Sequence, residues 1–250
     1  MGITLYTNNA FSSISDPDSY SPGFDTTLLR RAEIFTYTGI GSNLMPGEGL
    51  PSVAGTPSII DGTPFAQFAN NVSIAHLNLG IQDSEKQTWF IYFNPNSDPT
   101  QRLIMSSYGG TSPSNLPGAG IMVSAAGTLQ LGLGYHDTTT DAYSVSFATL
   151  GGGDLSKPAL LCVTLNGATA TIEDLTHGLS ASVTLTTGRV RAPNTIRVGK
   201  GAVSLWGSAA ATSQIGAYFV FDRVLSVDEK TSMREYIRRC IQAKFPAEIL

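Results

Sequence analysis

Apolar and polar residues alternate along most of this chain in short runs, and the runs are separated by turn residues. Residues 65–68, 74–79, 88–93, 102–108, 121–123, 129–133, 142–147, 160–165, 168–172, 182–186 and 195–198 all carry this period-two pattern or a β-prone apolar run, so each predicts a strand. Residues 88–93 (TWFIYF) are the most β-prone and predict a central strand. Ala126-Gly127 joins residues 121–123 to 129–133 as a hairpin. Asn166-Gly167 between two apolar runs predicts a hairpin with a type I′ turn, in which both central residues take positive φ. The period changes once, at the end. A β-rich segment, residues 217–221, stops at Asp222-Arg223, and Ser226 with Glu229 forms a capping box that opens a helix. Met233, Tyr236, Ile237, Cys240 and Ile241 then make one buried stripe, and Pro246 ends the helix, which is expected over about residues 226–244.

The first residues lack any such period. Residues 1–30 are rich in Asn, Ser, Asp, Pro and Gly, with isolated anchors at Tyr6, Phe11, Ile14, Tyr20 and Phe24. They predict an N-terminal arm, lying on its own sandwich or on a neighbouring subunit, followed by one domain over residues 31–250. Residues 26–32 predict a short helix, residues 33–38 a strand, and residues 39–56 a loop.

Composition narrows the class. A chain of 250 residues is long enough for one large β domain with a full core. Charged residues are only 14% of the chain, while 42% are hydrophobic and spread in short runs, which excludes disorder. Net charge is −4, and no basic stripe recurs before the terminal helix, so no nucleic-acid partner is expected. Arg189, Arg191 and Arg197 read as solvated strand ends, with a phosphate or acidic-glycan contact as the sharper alternative. Cys162 and Cys240 read as small core residues. No segment has the length of a membrane span or the pattern of a signal peptide, so no membrane insertion is expected. The expected location is a virion or the extracellular space, reached without a conventional signal peptide.

The closing segment resembles that of laminin-G-like, concanavalin A-like jelly rolls. A strand there runs into DR-x-LS-x-x-E and a helix ending in K-F, here Asp222, Arg223, Leu225, Ser226, Glu229, Lys244 and Phe245. Upstream, residues 65–68, Thr88 to Ser97, Gly120 to Leu129, Asn166-Gly167 and Ile196 to Gly199 follow in the family's order, so the resemblance covers roughly residues 57–245. It implies an all-β fold, a two-sheet antiparallel jelly-roll sandwich with one C-terminal α-helix. The sequence is also similar in style to bacteriophage structural proteins, which carry such modules.

Catalytic chemistry finds no support in the pattern. Glucanases of this broad fold place carboxylates at alternate strand positions so that they face one cleft. Here Glu173 and Asp174 are adjacent and face opposite sides. No G-x-S-x-G occurs, and His76, His136 and His177 are scattered. Asp83, Asp137 and Asp141 are loop residues without a recognised calcium spacing, so no metal and no cofactor are expected. Glycan binding remains. Trp89 lies among apolar neighbours and reads as core, whereas Trp206 precedes a small-residue loop and Tyr135, His136 and Asp137 end a strand at a polar loop. Trp206, Tyr135, His136 and Asp137 are therefore the candidate ligand-binding residues. The expected function is a non-catalytic structural or attachment module, most simply a phage virion or tail component, contacting a surface carbohydrate. A stand-alone lectin-like protein is the alternative, and a divergent glycosidase a weaker one. A homo-oligomer or other virion proteins are the expected partners.

Overall fold

The computed structural model describes residues 23–45, 47–69, 75–114, 116–200 and 211–250. In chain order its elements are β1 (Leu29–Ile34), α1 (Phe35–Thr38), β2 (Ser52–Ala54), β3 (Ser58–Ile59), β4 (Ala66–Ala69), β5 (His76–Gln82) and β6 (Lys86–Asn94). There follow β7 (Arg102–Ser106), β8 (Ala119–Val123), β9 (Leu129–Asp137), β10 (Ala142–Thr149), β11 (Ala159–Asn166) and β12 (Thr169–Asp174). The chain closes with β13 (Leu179–Thr184), β14 (Thr195–Val198), β15 (Thr212–Phe221) and α2 (Val227–Lys244). One sheet has the order β13-β12-β11-β6-β15-β4-β3, with β1 also on β15, and the other β10-β9-β8-β7-β14-β5-β2. The fold is the expected two-sheet antiparallel jelly-roll sandwich with a C-terminal helix.

Parity explains the burial. Trp89, Ile91 and Phe93 of β6, Leu161, Val163 and Leu165 of β11, and Tyr218 and Val220 of β15 face the second sheet. There they meet Leu77, Leu79, Ile104, Ile121, Leu131 and Leu133. The intervening residues Phe90, Tyr92, Leu160, Cys162, Phe219 and Phe221 face the other way and are covered by Met233, Tyr236, Ile237, Cys240 and Ile241 of α2. The first sheet is thus apolar on both faces, which is why β6 reads as a continuous apolar run rather than an alternation. Tyr37 of α1 ties the cover down by donating its hydroxyl to the Cys240 carbonyl at 2.6 Å. Cys162 and Cys240 are buried free thiols.

The residues of the closing motif join strand to helix. Asp222 accepts from Gln87 at 2.8 Å and from Arg30 at 3.1 Å. Arg223 holds both oxygens of Glu229, at 2.7 and 3.0 Å. Glu229 accepts the Ser226 N–H at 2.8 Å while its own N–H donates to the Ser226 hydroxyl at 3.2 Å, closing the capping box. Thr88 of β6 donates to the Arg223 carbonyl and accepts from the Leu225 N–H, so the turn into α2 is locked to the central strand.

Several local expectations are corrected. Residues 26–32 are not helical: Leu29 pairs with Phe221, and β1 continues along β15 to Ile34. Tertiary pairing overrides the helix propensity of Leu28 to Ala32. The strand expected over residues 33–38 stops at Ile34, and residues 35–38 make a single helical turn that buries Phe35 and Tyr37 on different sides. The Asn166-Gly167 turn is shifted by one residue. Asn166 pairs with Thr169, so Gly167 and Ala168 are the central residues, and of that loop Gly167 alone has positive φ, at 60°. That is the glycine-first pattern of a type II′ turn. The loop expected over residues 39–56 contains edge strand β2. Tyr6, Phe11, Ile14 and Tyr20 lie outside the described residues. The expected boundary at residue 31 falls inside β1.

Glu33 is a carboxyl fully buried in this core. It accepts the Ser42 N–H at 3.0 Å and the Tyr218 hydroxyl at 2.7 Å. Burial pushes its pKa up to about 8 against the pull of those hydrogen bonds. The folded carboxyl therefore keeps its proton to higher pH than the unfolded chain does, and its contribution is present below the ordinary Glu range and lost as pH rises through about 8. Stability is expected to fall between mildly acidic and alkaline pH, and Glu33→Gln is expected to flatten that slope. Melting curves of both proteins from pH 5 to 9 test this. Parallel curves would mean that Glu33 titrates alike in the folded and unfolded chains.

Candidate functional site

The candidate site is the outer face and upper rim of the second sheet, built on the β9–β10 hairpin. Leu131 and Leu133 of β9 point into the core. Gly132, Gly134 and His136 therefore lie on the outer face. On β10 the residues opposite them are Phe147, Val145 and Tyr143. A Cβ on Gly132 would lie 2.9 Å from Val145 Cγ1 and 3.1 Å from Phe147 Cε1, so the absent side chain is what lets both lie flat on the sheet. Val145 packs sideways along the outer face on Leu103, Tyr108 and Met122, and Phe147 remains 39% exposed. His136 stacks on Tyr143 with ring centroids 4.6 Å apart and planes tilted by 30°. Its Nε2 lies 3.0 Å from the exposed Asp141 carboxylate. The result is a partly exposed strip on the outer face, with an imidazole, a phenol and a carboxylate at one end and the exposed Phe147 ring at the other.

Alternation separates the expected trio. His136 belongs to this strip, whereas Tyr135, one residue earlier, packs partly buried against the inter-sheet core. Asp137 is a turn former: it accepts the Thr139 N–H at 2.8 Å and the Thr140 hydroxyl at 2.9 Å, and these bonds hold its pKa below the usual carboxylate range. Trp206 lies outside the described residues. Tyr143 and Phe147 were not singled out from the sequence. Their signal was Y-x-V-x-F running opposite G-x-G, large side chains facing residues that have none.

Beyond the hairpin the same rim holds a cleft of about 290 Å³ lined by Glu85, Gly167, Ala168, Gly188, Arg189 and Arg191. The segment from β13 to β14 crosses the rim here, pinned by the Val190 N–H on the Gly134 carbonyl at 2.8 Å. Arg189 is not the solvated strand end expected of it. Its side chain is 3% exposed and ion-paired with Asp83, whose side chain is fully buried. It also donates to the Ser84 carbonyl at 2.8 Å. A buried guanidinium next to a buried carboxylate is the low-cost way to keep either inside. Burial, and then the neighbouring Arg191 charge, bring the Arg189 pKa down to about 10. Arg197 sits half-buried on β14, and Arg191 is exposed.

Among the described residues, no strand carries two carboxylates on one face, and no group of three or more His, Cys, Asp or Glu is placed to hold a metal. His177 sits in a turn with Nδ1 2.7 Å from the Asp174 carboxylate, a local structural contact. No described helix is long and apolar enough to cross a membrane.

The sequence matches no protein-family model and no curated protein. Solved structures do share the fold. The binding domain of Paraclostridial Mosquitocidal Protein 1 superposes with a TM-score of 0.56 at 10% identity, over 79% of this chain and 49% of that one. The botulinum neurotoxin serotype D binding domain gives 0.52 at 14% identity, over 78% and 50%. The serotype D/C VPI 5993 binding domain gives 0.51 at 13% identity, over 77% and 50%. The chain thus spans about half the length of each of these neighbours, and at such identity the likeness is one of fold.

Proposed function

We propose that this chain is a non-catalytic binding module that holds a saccharide on the outer face of its second sheet. The observation that carries this reading is the outer-face set of half-buried His136 and Tyr143, stacked on each other, and exposed Phe147, which lies over Gly132. An aromatic face offers apolar area to the C–H side of a sugar ring, while the imidazole, phenol and Asp141 carboxylate supply hydrogen-bond partners for its hydroxyls. The binding domains that share the fold support a recognition role over catalysis. The laminin-G-like order of motifs supports the same reading, and the Gly-, Ser- and Thr-rich, charge-poor composition favours an extracellular or virion assembly, a bacteriophage particle or tail among them.

A glycan array with the native chain, repeated with Tyr143→Ala and Phe147→Ala, tests the site. Each ring is expected to contribute about a fivefold change in affinity, corresponding to about 1 kcal/mol. Binding unchanged in the double variant would remove the strip from the reading, and no binding to any saccharide would remove the reading itself.

The assembly part of the proposal is a homo-oligomer to which the N-terminal arm contributes. Phe24, at the arm's end, lies 6.1 Å from Phe221 and under Arg223. Because Leu29 and Arg30 belong to β1, an informative truncation starts at Gly23 rather than Arg31. The full chain is expected to have an oligomeric mass in solution and the truncated chain a monomeric one. Equal masses would detach the arm from assembly.

A further inference from the structure

We propose that the rim cleft is an acidic-sugar subsite, in which a uronic acid carboxylate is held by Arg191 while its ring hydroxyls donate to Glu85. The inference rests on the saccharide-binding reading and adds a ligand class and a second contact point to it.

Three observations carry it. Arg189 lines the cleft, with a side chain only 3% exposed and paired with Asp83, and it fixes the cleft wall rather than facing a ligand. Arg191 stands exposed on the same wall, and it has no ion-pair partner among the described residues. With Asp83 already neutralising Arg189, Arg191 is the charge left over for a ligand. Glu85 also lines the cleft as the acceptor: its carboxylate lies beside Gly167, where a Cβ would sit 3.7 Å from Oε1. A cleft lined by a cationic donor, Arg191, and an anionic acceptor, Glu85, fits a ligand that is both an acid and a polyol. A sulfate or phosphate ion offers nothing to Glu85. The volume, about 290 Å³, is at the lower end for small-molecule sites and suits one sugar ring of a longer chain. The segment that lines the cleft is tied to β9, the strand that carries His136, through the Val190 N–H on the Gly134 carbonyl.

Calorimetric titration at low ionic strength with a short oligogalacturonate and with its fully methyl-esterified, uncharged form tests the subsite. The acid is expected to bind at least tenfold more tightly than the ester, the fold-change of one charge-assisted hydrogen bond. Arg191→Ala is expected to erase that difference without moving the melting midpoint, because the side chain is exposed. Glu85→Gln is expected to weaken both forms. Acid and ester binding alike, or an acid preference that survives Arg191→Ala, would overturn the subsite. So would inorganic sulfate displacing the acid at equal concentration. If the ester still binds and loses affinity in Tyr143→Ala and Phe147→Ala, the binding module stands and only the acidic subsite falls. If neither form binds, the subsite is overturned, and the module is judged on the other saccharides of the array.

Discussion

Asp83→Ala is expected to lower the stability of the folded chain by roughly 3–5 kcal/mol at neutral pH. Asp83 has a fully buried side chain, accepts the Ser107 hydroxyl at 3.0 Å and neutralises Arg189. Its removal leaves a guanidinium that is 3% exposed with no counter-charge. It also frees the segment between β13 and β14, which Arg189 pins to the turn at Ser84. The loss comes from the stranded charge, not from the pair itself. Replacing both partners, as Asp83→Leu with Arg189→Met, is therefore expected to recover much of it, since an apolar substitute for a buried pair is often neutral. Urea denaturation midpoints of the single and double variants provide the comparison. A single-variant loss within the error of the midpoint would show that Arg189 escapes to solvent through the cleft it lines.

Ile237→Ala is expected to cost about 2–5 kcal/mol, and Tyr236→Ala a similar amount. Ile237 is fully buried, and Tyr236, 5% exposed, meets Phe219 edge-on at 6.1 Å. Without them the outer face of the first sheet, with Phe90, Tyr92 and Phe219, would be opened to water. Arg239, exposed on the same helix, is the control, and its change to Ala should stay within about 0.5 kcal/mol. The same denaturation experiment checks both. Equal midpoints for Ile237→Ala, Tyr236→Ala and Arg239→Ala would mean that α2 is not a structural cover.

The parts legible in the sequence were those with local causes. The capping box at Ser226 and Glu229 and the stripe from Met233 to Ile241 are read from spacing alone, and the structure reproduces both. Trp89 was recognisable as core because its neighbours in the chain are apolar, and it is fully buried. What misled was also local. Residues 26–32 have helix-forming side chains, but β15 offers them a strand partner far along the chain, through pairs such as Leu29 with Phe221. The Asn-Gly pair marked a turn correctly and its centre incorrectly, because register is decided by how far Asn166 and Thr169 keep pairing.

The candidate site shows the same division more sharply. Tyr135, His136 and Asp137 are neighbours in the chain, and period two places Tyr135 and His136 on opposite faces of β9. The residues that accompany His136 come from β10, and the seat of Phe147 depends on Gly132, which only the strand register brings beneath it. Likewise Arg189 looked like a solvated charge until the crossing between sheets carried it against Asp83. By itself the sequence determined the elements with local causes: strand periodicity, turn positions, the capped helix and a core large enough to hold them. The tertiary structure decided which residues share a face, which charges are buried and where the open surface lies. These depend on pairings and packing between segments far apart in the chain, and no local periodicity encodes them.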